Sequence, residues 1–299
     1  MNAFLKITVC ALAIVAICSA SVNGEIMVKN YYRLGEADFS FGPPPAIGDP
    51  GLDPTVDSNG YLNLGKFGSP TYAAGATNPG STLSMEFYGI GTDTPATHYY
   101  NTTGVGSLFT TNNFGLDFWV NIKSFPEYNN QAFVSIGEYG SYNGGTNWGL
   151  HIGSTSNDNG NFIVAAANGY FWTGSTPLST NQWYHVVFVS KTPLGTGEHD
   201  HDSHLYINGV EEIGGGSMPM LYDNAGTQIN NSVTIGARNA QPHRFDWGAS
   251  ALIDEYRLFT FAEGQFDIRD TEIIPEPGTL ALLVMGLLGM VVYAWRKRR

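Results

Sequence analysis

From residue 82 to residue 259, apolar and polar positions alternate in short runs, and each run ends in a cluster of Gly, Asn, Asp, Ser or Pro. The pattern predicts strands over 82–88, 115–122, 131–139, 147–153, 161–167, 183–190, 204–209, 232–237 and 251–259. In GLDFWVNI (115–122), Leu116, Phe118, Val120 and Ile122 share one face, and Asp117, Trp119 and Asn121 share the other. In ALIDEYRLF (251–259), strict alternation puts Leu252, Asp254, Tyr256 and Leu258 on the more apolar face. Ile253, Glu255 and Arg257 then lie opposite. A carboxylate on an apolar face persists only with hydrogen-bond partners, so Asp254 is expected to be anchored internally and Glu255 to be the more solvated.

No helical period persists beyond a dozen residues, and the one helical candidate is AEGQFDIRD (262–270). The Pro/Gly-rich stretch 41–54 reads as an irregular loop after an N-terminal strand. Asn208-Gly209 supplies the positive φ of a type I′ hairpin turn. There is no internal repeat, and nothing marks a boundary within 82–259. The body, 21–272, is therefore expected to be one all-β domain, a two-sheet antiparallel jelly-roll sandwich.

Both termini follow other rules. Residues 1–20 have one Lys, an apolar stretch from Ile7 to about Ile17 and then small residues, the layout of a secretory signal peptide cleaved after Ala20. Cys10 and Cys18 fall inside it, so the mature chain is expected to have neither disulfides nor thiol chemistry. Near the other end, Pro275, Glu276 and Pro277 precede 17 uncharged residues, Thr279–Trp295, and then Arg296, Lys297, Arg298 and Arg299. A run of that length is just enough for a single transmembrane helix, and the basic end favours the cytoplasmic side. Triplet, span and basic end in that order (273–299) resemble the PEP-CTERM sorting signal of bacteria. The resemblance implies recognition by an exosortase-type processing protease. It also implies anchoring in the inner membrane through the C-terminus before sorting, and then delivery to the cell surface or exterior.

Charge sharpens this picture. The chain carries 14 basic and 26 acidic residues. Without Lys6, the four C-terminal cations and Glu276, the remainder holds 9 basic and 25 acidic residues, a balance near −16. Such a surface argues against nucleic acid as a partner. Charged residues are only 13% of the chain, with 37 Gly and 13% aromatics, which suits an exported all-β protein.

The order of segments adds a second resemblance. FGLDFWVNI, NQWYHVVFVS, LYINGVEE, VTIGARN and ALIDEYRLFTFAEGQFD follow one another over roughly 110–270. This succession resembles the laminin G-like, concanavalin A-like jelly-roll family of bacterial extracellular proteins, through Phe118, Trp119, Trp183 to Val187, Leu205 to Val210, Ile235, Gly236 and Ile253 to Phe259. The resemblance implies a fold more than an activity.

Some relatives of that kind are glycosidases, which need two carboxylates a few ångströms apart on one face. No E-x-D-x-x-E pattern occurs here. Glu36 and Asp38 lack a third acid, and Asp254 and Glu255 alternate faces. There is also no nucleophile elbow, H-E-x-x-H or phosphate loop. A non-catalytic role is therefore expected.

Sugar binding needs flat aromatic faces beside polar groups. NGYFWTG (168–174) supplies Tyr170 and Trp172, and Trp148 and Trp247 lie near predicted loops, although such rings equally suit a sandwich core. GEHDHDSH (197–204) is the densest polar cluster; His199, Asp200, His201 and Asp202 offer ligands for a metal or, equally, line a solvated hairpin loop. The family resemblance implies calcium, for which Asp158, Asp200, Asp202, Asp223 and Asp246 are the loop carboxylates. These features favour an exported, non-catalytic envelope or matrix protein that binds glycan or exopolysaccharide. A structural surface protein without a small ligand and a glycan-active hydrolase are the alternatives.

Overall fold

The computed structural model describes residues 26–35, 45–60, 62–76, 81–89, 96–105, 113–126, 130–137, 150–157, 160–167, 170–191, 202–212, 231–240 and 244–271. In chain order the strands are β1 (Met27–Tyr32), β2 (Gly65–Phe67), β3 (Thr71–Ala74), β4 (Leu83–Tyr88), β5 (Tyr99–Val105), β6 (Phe114–Ile122), β7 (Asn130–Ile136) and β8 (Leu150–Asn157). They continue with β9 (Gly160–Ala167), β10 (Tyr170–Thr173), β11 (Trp183–Lys191), β12 (Asp202–Ile207), β13 (Val210–Glu211), β14 (Asn231–Ile235), β15 (Arg238–Ala240), β16 (Arg244–Asp246) and β17 (Ser250–Thr260). The expected signal peptide, sorting triplet and membrane span lie outside the described residues. Among the described residues no helix is long and apolar enough to cross a membrane.

Two antiparallel sheets form the sandwich. One runs β13-β12-β11-β6-β17-β4-β3, with β1 also on β17; the other runs β10-β9-β8-β7-β14-β5-β2. In each sheet, runs of hairpin-linked strands are joined by pairings far apart in sequence, such as β6 with β17 and β7 with β14, as a jelly roll requires. Between the sheets Phe118 of β6 meets Phe133 of β7 and Tyr256 of β17, each at 6.3 Å between ring centroids. Leu116, Val120 and Ile122 point into the same core, as the alternation predicts.

The alternation fails in β17. Asp254 pairs with Trp119 of β6 and Arg257 pairs with Asp117, so three steps on β17 meet two on β6. This is a β-bulge, and Glu255 within it has φ 54°. The extra residue reverses parity. Ala251 and Ile253 face the core before the bulge, and Tyr256 and Leu258 face it afterwards. The expected grouping of Leu252, Asp254, Tyr256 and Leu258 on one face is therefore corrected. Asp254 is fully buried, and its Oδ2 accepts the Ala76 N–H at 2.9 Å. Glu255 is buried as well, accepting the Tyr31 hydroxyl, with Arg33 Nε 3.8 Å away.

The helical candidate over 262–270 does not form an α-helix. Gly264 takes φ 70°, and only a 3-10 turn, Ile268–Thr271, follows it. The segment instead crosses the outer face of the eight-stranded sheet. Phe261, Phe266 and Ile268 there join Val187, Val189, Tyr206 and Phe259 in a second apolar cluster. Asn208 and Gly209 have φ 51° and 78°, as the type I′ turn between β12 and β13 demands.

Candidate functional site

The outer face of the seven-stranded sheet is polar where an inner face would be apolar. Register aligns Asn101 of β5, Thr234 of β14, Ser135 of β7 and His151 of β8 in one row across it. All four are buried, because the β15–β16 hairpin lies over them. Thr234 Oγ1 donates to Asn101 Oδ1 at 2.8 Å, and Asn239 of the hairpin donates its N–H to Ser135 Oγ and its amide to Ser232 Oγ. The Arg238 guanidinium forms two hydrogen bonds with the Asp246 carboxylate, at 2.7 and 2.8 Å, and lies 3.4 Å from the Trp247 ring centroid. His151 meets the same indole edge to face at 5.1 Å. Burial, then the nearby Arg238 charge, lowers the His151 pKa to about 3, so its imidazole is neutral at physiological pH.

Beyond this row, at the β2–β5 edge, the hairpin completes an aromatic ladder. Phe67 and Tyr99 are directly opposed across the strands, and Tyr100 on the other face enters the core. The Phe67 and Tyr99 rings stack at 4.7 Å and 13°. Phe245 of β16 stacks on Tyr99 at 4.4 Å and 20°. Phe67 leaves 46% of its surface open. A polar group lies on the edge of the other sheet, reached through the residue before Tyr99. His98, next to Tyr99, meets the exposed Tyr88 ring edge to face at 5.9 Å. The Tyr88 hydroxyl donates to Glu86 Oε2 at 2.8 Å and lies 3.0 Å from Thr71 Oγ1. A half-exposed ring packed against two further rings suits a ligand with an apolar face.

The outer face of the eight-stranded sheet carries a buried charge network. Arg257 Nε donates to Asp117 Oδ1 at 2.9 Å, and its Nη2 donates to Asp117 Oδ2 and to the Thr271 carbonyl. His185 Nε2 lies 3.4 Å from Asp117 Oδ2, and its ring stacks on Trp119 at 4.9 Å. Burial raises the Tyr31 pKa, and the adjacent Glu255 carboxylate raises it further. Arg257 and Arg238 are thus paired with Asp117 and Asp246. Elsewhere the buried Glu212 accepts hydrogen bonds from the amides and hydroxyls of Ser175 and Thr176.

Of the aromatic residues expected at a sugar site, Trp172 and Trp247 are buried. Trp172 is 3% exposed and belongs to the core, so it offers no open face. Trp247 is buried between Arg238 and His151. Tyr170 lies in β10 with its side chain outside the described part, and Trp148 lies outside the described residues. The metal candidates fall mostly outside the described part. Asp202 of β12 pairs with Lys191 in the strand register. Its side chain, and all of His199, Asp200 and His201, lie outside the described part, as do Asp158, Asp223 and the triplet Pro275, Glu276 and Pro277. Among the described residues no three His, Cys, Asp or Glu side chains converge, and Asp246 is committed to Arg238.

Phe67, Tyr99 and Phe245 escaped the sequence reading. One signal was present, since THYYNTTGV (97–105) has the aromatic and β-branched content of a strand and Tyr99 alternates with Tyr100.

A protein-family model described as the concanavalin A-like lectin/glucanases superfamily matches residues 94–269, more than half of the chain. A second, the PEP-CTERM protein-sorting motif, matches 274–299. No curated protein matches the chain in sequence. Among solved structures, domain 4 of AbnA, a GH43 extracellular arabinanase from Geobacillus stearothermophilus in complex with arabinotriose, is 18% identical with a TM-score of 0.50. It covers 83% of this chain and 99% of its own. An alginate lyase Aly36B mutant in complex with alginate trisaccharide is 15% identical with a TM-score of 0.49, covering 78% and 99%. A Trypanosoma rangeli sialidase is 12% identical with a TM-score of 0.47, covering 84% of this chain and 35% of that one. At such identities the likeness is one of fold. Strands β1 to β4, which precede the matched region, pair into the same two sheets. The chain belongs to the concanavalin A-like lectin/glucanase superfamily and carries a PEP-CTERM sorting motif at residues 274–299.

Proposed function

We propose that this protein is an exported, non-catalytic glycan-binding protein of the cell envelope or extracellular matrix. Its body, 21–272, follows a signal peptide, 1–20, and precedes a sorting tail, 273–299. An exosortase-type protease is its processing partner. The chain is held in the inner membrane by its C-terminal segment until sorting, and then acts at the surface or outside.

The observation that carries the binding reading is the open ladder of Phe67, Tyr99 and Phe245. A pyranose presents a face of C–H groups that buries well against an aromatic ring, while its equatorial hydroxyls reach polar neighbours. His98, beside Tyr99 in sequence, is a polar group at this edge. A domain of this fold accommodates an oligosaccharide in the arabinanase, so the architecture is compatible with a sugar ligand. The acidic balance of the body favours a neutral polymer over a polyanionic one.

The non-catalytic part rests on the carboxylates. A glycosidase needs two acids free to meet the scissile bond. Here Asp117 is engaged by Arg257, Asp246 by Arg238, Glu255 by Tyr31, Glu212 by Ser175 and Thr176, and Asp57 by the Tyr31, Asn59 and Leu62 amides. The test is a panel of neutral and acidic polysaccharides, scored for retention of the purified protein and for release of reducing sugar. Retention on a neutral polymer without sugar release is expected. Sugar release would replace this reading with a hydrolase, and retention on none would replace it with a structural protein.

A further inference from the structure

The charge network on the outer face of the eight-stranded sheet ends at the last described residue. Thr271 is fully buried. Its carbonyl accepts from Arg257, and its hydroxyl donates to the Ile268 carbonyl at 2.7 Å. Arg257 is held in turn by Asp117, in a central strand. Upstream, Phe261, Phe266 and Ile268 pack into the second apolar cluster, and Lys191 Nζ lies 5.3 Å from the Phe266 ring centroid. The segment from Phe261 to Thr271 is thus a strap clasped to the sheet at both ends.

Pro275 follows Thr271 by four residues. Four residues reach at most about 14 Å, however the chain runs. A folded body of this size is roughly 40–50 Å across. While the clasp holds, the Pro-Glu-Pro triplet cannot move further than that short tether from the sandwich surface. A protease embedded in the membrane must enclose the triplet, and the sandwich competes with it for the same space.

We propose that the Arg257–Thr271 clasp restrains sorting, and that the triplet is cleaved from an unclasped state. Peeling 261–271 from the sheet adds eleven residues, up to about 37 Å of reach, without opening the core between the sheets. The processing rate then scales with the fraction of unclasped molecules. The strap links the state of the folded domain to its release from the membrane. This inference rests on the reading of the triplet as the substrate of an exosortase-type protease.

The experiment is a pulse-label of the full chain in its native host, following loss of the C-terminal tail by mass. One variant carries a Gly/Ser insertion of about twelve residues between Thr271 and Glu272, which lengthens the tether by roughly 20 Å and leaves the clasp intact. A second, Phe266→Ser, loosens the strap without lengthening it. Tail loss is expected to be on the order of ten-fold faster with the insertion, with an intermediate gain for Phe266→Ser. Thermal unfolding of the insertion variant should match that of the original chain. Equal or slower tail loss with the insertion overturns the restraint while leaving the sorting reading in place. A tail retained by every form overturns both.

Discussion

Replacing Arg257 by methionine is expected to lower stability by about 3–5 kcal/mol, the usual cost of stripping one partner from a buried ion pair. Asp117 is 1% exposed, in a strand at the centre of the eight-stranded sheet. Both its carboxylate oxygens accept from the guanidinium, and burial leaves no water to take over. His185 Nε2 lies 3.4 Å from the same carboxylate, and one imidazole does not match a planar fork of donors. The Thr271 carbonyl loses its donor in the same change. Burial works most strongly against the charged form of Arg257, but the Asp117 charge and hydrogen bonds, with Tyr31 and Glu255, together outweigh it, so the pKa of Arg257 is raised. The pair is a mutual requirement rather than a large net source of stability. Asp117→Leu combined with Arg257→Met is therefore expected to recover much of the loss. Urea denaturation of the two single variants and the double variant measures this. A loss below about 1 kcal/mol for Arg257→Met would show that water reaches Asp117.

A second large effect is expected in the acid limb of the stability profile. His151 is fully buried, with its folded pKa lowered to about 3 by burial and by Arg238. The unfolded imidazole titrates near 6.5, so below that pH the unfolded state binds a proton that the folded state refuses. Stability then rises with pH through this window and is lost as pH falls. The slope is about 1.4 kcal/mol per unit from pH 6.5 downward, and it flattens only near the folded value. At pH 5, before most carboxylates titrate, this one residue should account for about 2 kcal/mol. In His151→Leu that slope should vanish, whatever the variant's stability at pH 8. Denaturation midpoints at pH 8, 6.5 and 5 decide it. Parallel profiles for the two proteins would mean that His151 is protonated in the folded state.

The sandwich was legible because its central strands, such as GLDFWVNI and WYHVVFVS, keep clean period-two patterns against a core. Family membership followed from the same segments. The failures have local causes. One bulged residue at Glu255 reversed parity in β17, and nothing in a run with apolar residues on both faces marks an insertion. Trp172 sits in a four-residue strand, too short for alternation to tell inside from outside. Gly264 ended a helical pattern that its neighbours supported. The aromatic ladder is a different case. Phe67, Tyr99 and Phe245 come from three separate segments, and only the β5–β2 pairing and the β15–β16 hairpin bring them together. Such a site is encoded in topology, which a local pattern does not carry.

The central claim is that glycan stacks on this ladder. The most direct measurement is calorimetric titration of a retained neutral oligosaccharide into the original protein, Phe67→Ala and Trp172→Phe. Phe67 is 46% exposed, so its truncation should leave the fold intact. Removing a central stacking ring should weaken binding by about 2 kcal/mol, roughly thirty-fold in Kd. Trp172→Phe, a change within the core, should leave Kd unaltered. Undiminished affinity in Phe67→Ala would contradict the account and place the ligand elsewhere on the sandwich.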